Sequence, residues 1–493
     1  MKKSMGPDKI SPFFLKLALP YIVEPLTHAY NQCIKQNSFP SSLKTAKIIP
    51  LPKGSHCKEP GDFRPISILP ILAKPLEKHV QKCLLEYMEN NNLFHEFQSG
   101  FRENHSCSSA INSLVNTWIS SINSHNFTGA VFLDFKKAFD LVNHDILLKK
   151  MDIYMKNNES LSFFKSYLSN RYQYVSVNCN TSQYGNIHCG VPQGSNIGPL
   201  LFCIYINDLP LNLRDKSVQT DLFADDSNLH TKGNSINEIE SSLQSALDDA
   251  ESWAIDNRMI LHPLKSKSMV IATRQKHQLT PLKLELSLQS LPIEQVTKHK
   301  VLGVVLDQNL SWDDHINQLC KKLSKNVYLL SKLAKVADQK SLLIFANAHI
   351  FSHIDYASTL WDGASENSLK PLKSIYRRVA KLILKGDLLS TDQKLRKLNI
   401  LPLQERCFYN KAILMFKVFH GKTPNYISSM FQKSYSKYRS MNFLIPNARL
   451  DICQSSLSFM GASLWNKLPE TIKSSKSLTT FKRKLKQFYI SST

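Results

Sequence analysis

At 493 residues, with 42% hydrophobic side chains, the chain is long enough for the cores of two to four domains, which excludes wholesale disorder. Its 62 Lys and Arg outnumber 39 Asp and Glu, a formal net charge of +23; a surplus that large points to a polyanion, nucleic acid first, against the plainer alternative of lysine serving only solubility. The ten cysteines include no C-x-x-C, which argues against a zinc module and a secreted disulfide framework and predicts reduced, mostly buried thiols in an intracellular protein of the nucleus or cytoplasm.

No apolar core follows the basic start MKKSMGPDKISP, and the longest apolar run, PLLFCIYI at 199–206, falls far short of the roughly 20 residues a membrane span needs. A soluble protein with no membrane partner is therefore expected. SPFFLKLALPYIVEPLTHAYNQCIKQNSFP reads as a helix broken at Pro20 and Pro25. TAKIIPLPKG (45–54) reads as a short strand leaving into a basic turn. Leu76, Val80, Leu84, Tyr87 and Met88 mark one helical face, and Ala110, Ile111, Leu114, Val115, Trp118, Ile119 and Ile122 mark the next. GAVFLDF (129–135) is a continuous apolar run, as a buried central strand requires, and carries Asp134 near its end. YQYVSVN (172–178) is a further strand. DLFADDSNL (221–229) has the form of a hairpin with an acidic pair at its turn. Ile236, Ile239, Leu243, Leu247, Ala250 and Trp253 define a strong helix, after which SMVIATR, LKLELSL and KVLGVVLD return to strands, the second alternating at Leu282, Leu284, Leu286 and Leu288. From about Trp312 onward the pattern is mostly helical, opening with Ile316, Leu319, Leu323, Val327 and Leu330. HGKTPNY (420–426) reads as a boundary. The last stretch, Lys467–Lys486, carries seven Lys or Arg and one Glu, either a solvated helix face or a contact to backbone phosphates.

Asp225 and Asp226 sit side by side, and burying either is costly without a compensating charge. Acidic pairs in turns are usually just solvated. The second reading places them with Asp134, 91 positions earlier at a strand end, as three acids on one point. Hard oxygen ligands select Mg²⁺. Two such ions roughly 3.5–4 Å apart activate an attacking hydroxyl and stabilise a departing pyrophosphate, the chemistry of nucleotidyl transfer.

The segments around these acids carry a resemblance. AVFLDFKKAFDLVNHDILL (130–148), GVPQGSNIGPLLFCIYINDLP (190–210) and FADD (223–226) resemble motifs A, B and C of reverse transcriptases, in order. IIPLPK, DFRPISILP and QSGFRENHS resemble the family's finger motifs, LHPLKSKSMV its motif D and HKVLGVVLD its primer-grip motif E. The forms are similar to those of non-LTR retrotransposons (LINEs), jockey-like and related animal elements, as are SMGPDKISP, SHIDYASTLWDG and GASLWNKLPETI. The likeness covers nearly the whole chain.

That resemblance implies an α+β right-hand polymerase with fingers, a palm built on an antiparallel sheet, and a thumb, followed by a mostly helical C-terminal region. The divisions are 1–45 (helical extension of the fingers), 46–307 (fingers and palm), 308–365 (thumb-like helices) and 366–493 (basic helical region). It implies an RNA-directed DNA polymerase that extends a DNA primer 3′-OH with dNTPs on an RNA template. Two Mg²⁺ ions, or Mn²⁺ as substitute, would be held by Asp134, Asp225 and Asp226. Phe139 would be the steric gate against a 2′-OH. Gln193 and Gly194 would lie along the nucleotide, with Gly190 opening motif B. Lys53 and Arg64 would neutralise the triphosphate. Lys265 would protonate the leaving pyrophosphate, with Lys267 not separable from it, and Leu302 and Gly303 would form the primer grip. Phe223 departs from the frequent Tyr, and His262 from the frequent Asn. The family's full-length members carry an N-terminal endonuclease for which this chain has no room, so a fragment or 5′-truncated copy is expected. The rival reading is a catalytically inactive nucleic-acid-binding relic; a two-metal nuclease would leave the finger motifs and PQG unexplained.

Overall fold

A computed structural model describes residues 5–54, 57–279, 282–385, 388–434 and 441–491. It opens with one helix, α1 (Pro12–Lys35), that passes through both prolines instead of breaking at them. The expectation of a break is corrected. A helix-interior proline removes one N–H and crowds the carbonyl four residues back. Here those carbonyls belong to Lys16 and to the exposed Tyr21, and no residue of α1 is buried, so water can take the orphaned acceptors.

Strands β1 (Thr45–Pro52) and β2 (Phe63–Ile68) pair antiparallel, with Leu51 opposite Arg64. Helices α2 (Ala73–Asn90) and α3 (Cys107–Asn123) follow where the periodicity placed them; Ser106 caps α3 by accepting the Ser109 N–H at 3.1 Å. Strand β3 is Phe127–Leu133, and after it come α4 (His144–Met155) and α5 (Asn158–Leu168). The first sheet is then completed by β4 (Arg171–Val177), parallel to β1, and by the short β5 (Asn180–Thr181) and β6 (Gly185–Ile187).

Next come α6 (Gly198–Ile206), the short α7 (Leu209–Asn212), the hairpin β7 (Gln219–Phe223) and β8 (Asp226–Gly233), α8 (Ile236–Asp256), β9 (Lys267–Ile271) and α9 (Arg274–Leu279). Five short strands follow: β10 (Ser287–Leu288), β11 (Leu291–Pro292), β12 (Glu294–Gln295), β13 (Lys298–Val301) and its partner β14 (Val304–Asp307). The second sheet has the order β12-β9-β3-β8-β7, antiparallel except where β12 meets β9. β3 is its centre and is buried on both faces, as its uncharged run requires. One face packs on α6 and α8 through Val131, Leu133 and Leu229; the other packs on α3 and α10 (Asp313–Leu333) through Ala130 and Phe132.

LKLELSL is a second correction. Its four leucines are buried in strict alternation, yet only Ser287–Leu288 joins a strand. The backbone is extended, but its donors go mainly to side chains: Leu284 N–H to Gln295 at 2.8 Å, Glu285 N–H to Glu240 at 2.7 Å, Ser287 N–H to Gln244 at 2.9 Å. Period two reports side-chain environment, not ladder partners.

Beyond α10 the described chain is almost wholly helical. The core that begins on α10 continues through the helix Glu366–Ile383 to Cys407, and a third core joins Leu403–Phe419, Leu457–Lys467 and Leu478–Ser491 around Trp465 and Phe481. Two further expectations are corrected here. HGKTPNY is no open boundary, because Tyr426 is buried against α3 and the segment before it. Of the seven terminal cations Lys473 is only 2% exposed, its ammonium bonded to Asn442 at 2.8 Å and Glu470 at 3.0 Å, so it serves the fold and cannot contact a phosphate. All ten cysteines are free, as expected, but only Cys203, Cys407 and Cys453 are buried. No helix among the described residues is long and apolar enough to cross a membrane.

Candidate active site

Three carboxylates stand at one end of the second sheet. β3 delivers Asp134 one residue past its last pair, Leu133 with Ser227, which leaves Asp134 and Asp226 at the same end of adjacent strands. The β7–β8 hairpin closes at Phe223 opposite Asp226, so Ala224 and Asp225 form its turn, with Ala224 at φ +55°. The Asp134 backbone is tied down from the far side. Its N–H donates to Ser266 Oγ at 3.2 Å and its carbonyl accepts the His262 N–H at 2.9 Å. That turn also sorts the two lysines. Lys265 Nζ stands 4.0 Å from Asp134 Oδ2, whereas Lys267 is held away by Glu294 at 2.7 Å and the Leu264 carbonyl at 2.8 Å.

The acids feel one another. Asp225 is raised above the ordinary carboxylate range by the protein crowded about the turn and by the Asp134 charge, against its own backbone N–H and the Arg64 guanidinium. Asp226 is pushed up to about 6 by the same crowding and by Asp225 and Asp134. Both side chains still reach solvent, so this is partial desolvation at a crowded rim. No three His, Cys, Asp or Glu side chains close into a ligand cluster among the described residues. An all-oxygen, mutually repelling, partly desolvated set is nonetheless the donor chemistry a hard divalent cation satisfies, and such a cation would invert the upward shifts. The residues fit the metal.

The remaining expected residues surround this point unequally. Arg64 on β2 is exposed and near enough for its charge to lower Asp225. Lys53 is turned back, its ammonium donating to the Gly61 carbonyl at 2.9 Å. Gln193 donates from Nε2 to Asp140 Oδ1 at 2.8 Å, and its carbonyl accepts the Ser67 N–H at 2.8 Å, so the PQG segment is stitched to the first sheet. Gly194 follows at φ +138° and Gly190 precedes at φ +86°. Phe139 is half-buried and stacks on Phe202 at 4.5 Å, which makes it partly a core ring. Leu302 (φ +44°) and Gly303 (φ +87°) form the tight β13–β14 turn, a geometry that favours glycine. Its Leu302 carbonyl accepts the Tyr356 hydroxyl, and Val301 and Leu302 line a small cleft with Phe223.

Residues 51–306, more than half of the chain, match the family described as reverse transcriptase (RNA-dependent DNA polymerase). The chain belongs to the reverse transcriptase family. It is similar to "Probable RNA-directed DNA polymerase from transposon X-element" of Drosophila melanogaster, 28% identical over 392 residues that cover 77% of this chain and 42% of that protein. It is also similar to "RNA-directed DNA polymerase from mobile element jockey" of the same species, 28% identical over 360 residues, 72% of this chain and 38% of the relative. The chain spans about two fifths of the length of these curated relatives.

Two residues of this reverse transcriptase chain escaped the sequence reading. Glu77 is fully buried on α2, where its carboxylate accepts the Tyr167 hydroxyl at 3.0 Å and the Asn196 N–H at 2.8 Å, holding the segment just after Gly194. Burial raises it, opposed by the Asn196 N–H and Arg171. Its signal was a charge next to Leu76 on an apolar helical face. Gln98 is fully buried, and its Oε1 accepts the Gly100 N–H at 2.9 Å and the Ala224 N–H at 3.4 Å. Its signal was its place at the head of the finger-like QSGFRENHS, but nothing local ties it to Ala224, which lies far along the chain.

A pH dependence follows from Asp226. In metal-free protein it holds its proton to about pH 6, while an unfolded Asp releases it near 3.8. The folded state binds more protons inside that window, so the Asp226 contribution to stability falls as pH rises through it. In EDTA, the melting midpoint of Asp226→Asn is expected to gain on wild type between pH 4 and 7, and Mn²⁺ at pH 7.5 to raise wild type more than the variant. Parallel pH profiles for the two proteins would refute the assignment.

Proposed function

We propose that the chain is an RNA-directed DNA polymerase that adds dNTPs to a primer 3′-OH on an RNA template. The observation that carries this is that Asp134, Asp225 and Asp226 stand at one end of the second sheet, with the Arg64 charge of the first sheet acting on Asp225. In this reading the first sheet belongs to the fingers and the second to the palm, α10 and the helices to 365 form a thumb, and residues 366–493 add a basic helical region. When bound by the three aspartates, two Mg²⁺ ions would supply Lewis-acid stabilisation of the charge that builds on the transferring phosphate. The chain's own groups act around them. Arg64 offers a planar cation for a phosphate, and Gln193, its amide held by Asp140 at 2.8 Å, would lie along the incoming nucleotide. Lys265, beside Asp134, is placed to give a proton to the leaving pyrophosphate. The net charge of +23 suits a template–primer hybrid.

The deciding experiment is extension of oligo-dT on oligo-rA with dTTP and Mg²⁺. The Asp225→Ala, Asp226→Ala double variant is the control, and wild-type extension that the control lacks is expected. Hybrid binding without extension by either protein would instead support the inactive relic. Within the same assay Lys265→Leu is expected to lower kcat about 10²-fold, as loss of a general acid does, while Lys267→Leu stays within a few-fold of wild type. Equal effects at the two lysines would remove Lys265 from the chemistry.

A further inference from the structure

Residues 97–100 join the C-terminal region to the acidic turn. On one side they make an isolated parallel bridge to β7, Gln98 opposite Leu222. The Leu222 N–H donates to the Phe97 carbonyl at 3.1 Å, and the Ser99 N–H donates to the Leu222 carbonyl at 2.8 Å. Gln98, between them, accepts the Ala224 N–H at 3.4 Å, at the one residue separating β7 from Asp225; its own Nε2 has no hydrogen-bond partner among the described residues. A non-glycine residue in the left-handed region persists only where its surroundings over-determine it, and Ala224 is such a residue. On the other side Tyr426, 4% exposed, is plugged in from the chain that follows helix Leu403–Phe419. Its hydroxyl lies 2.8 Å from Ser99 Oγ and 3.3 Å from Ser109 Oγ. Its ring stacks on Phe97 at 5.8 Å, and His105 meets it edge-on at 5.7 Å.

We propose that Tyr426 and Gln98 are positioning residues for the Asp225–Asp226 turn: the C-terminal region, through Tyr426, presses the 97–100 segment against β7, and Gln98 passes that constraint to the turn itself. The C-terminal region is thereby part of the polymerase centre and not only a place for nucleic acid to lie. The inference rests on the polymerase reading for its kinetic consequence but not for its structural one, and the test separates the two.

The full-length chain is compared with Tyr426→Phe, which keeps the ring and removes the hydroxyl, with Gln98→Met, with both together, and with Trp465→Phe. The last disturbs the same C-terminal core at a ring that packs on Phe419, Phe443 and Phe481 instead. Two readouts are taken: kcat and KM for dTTP in primer extension, and the Mn²⁺ concentration giving half of the metal-induced rise in melting midpoint. For Tyr426→Phe and Gln98→Met, kcat is expected to fall about tenfold or more, since small misplacements at a reacting centre are costly. KM is expected to hold within about twofold and the half-saturating Mn²⁺ to rise several-fold. The double variant should fall short of the product of the singles, because both act on one turn. Trp465→Phe should leave the Mn²⁺ value unmoved. An unchanged Mn²⁺ requirement in both single variants overturns the proposal, as does an equal shift in Trp465→Phe. If wild type binds Mn²⁺ but extends nothing, the polymerase reading fails while the metal titration still decides the role of Tyr426 and Gln98.

Discussion

Asp225→Asn is expected to lower single-turnover primer extension by about three orders of magnitude or more while leaving the fold and hybrid binding in place. The amide has the shape of the carboxylate, and the turn is held without the Asp225 side chain, by the Phe223–Asp226 pair and by the Gln98 Oε1 that accepts the Ala224 N–H. What disappears is one of three negative charges that would hold the divalent cations, whose contribution to phosphoryl chemistry is several kcal/mol at about 1.4 kcal/mol per tenfold in rate. Thermal stability without metal should hold or rise, because Asp225 is among the charges that push Asp226 up. Extension on oligo-rA with dTTP, hybrid anisotropy and a melting curve test all three statements on one preparation. A variant extending within tenfold of wild type would remove Asp225 from the chemistry.

Gly194→Ala is expected to cost about 3 kcal/mol or more of stability, from backbone strain and overpacking together. Gly194 sits at φ +138°, where a side chain is rarely tolerated, and a Cβ there would lie 2.3 Å from the Ser67 carbonyl oxygen. That atom is backbone of β2, so it cannot swing aside. Relief means parting the PQG segment from the first sheet and breaking the Ser67 N–H bond to Gln193. Since domains are stable by only about 5–15 kcal/mol, the loss should be plain in urea unfolding. Gly185→Ala is the matched control, because its Cβ would find nothing nearer than the Gln173 carbonyl at 4.0 Å. Equal midpoints for the two variants would mean that the close approach at Gly194 does not exist in solution.

Much of the local structure was legible from residue order alone. The uncharged run of β3, the β7–β8 hairpin, and the faces of α2, α3, α8 and α10 appear where their periodicities put them. The acids themselves are legible because a charged pair at a strand tip conflicts with its surroundings, and that conflict is local. The motif likeness then supplied the family, which the match over residues 51–306 bears out.

What residue order left open was settled by contacts between distant segments. Prolines at 20 and 25 read as breaks because the rule concerns a helix's own hydrogen bonds; α1 continues with Lys16 and Tyr21, whose carbonyls they strand, both exposed, so that water can serve as donor. LKLELSL alternates as a strand does, yet its donors meet Glu240, Gln244 and Gln295, and no pattern in side-chain burial reveals where a backbone N–H finds its acceptor. Lys265 and Lys267 are two residues apart and equivalent as letters; only the turn tied to Asp134 puts the first near the acid and gives the second to Glu294. Gln98 and Tyr426 are ordinary residues until folding brings one to Ala224 and the other to Ser99, 327 positions away. Residue order by itself thus determined most of the elements around the acids and the family they belong to, because periodicity and charge conflict act over a few neighbours. The tertiary structure decided which side chains stand near the three acids, because hydrogen bonds and packing across hundreds of residues have no local signature.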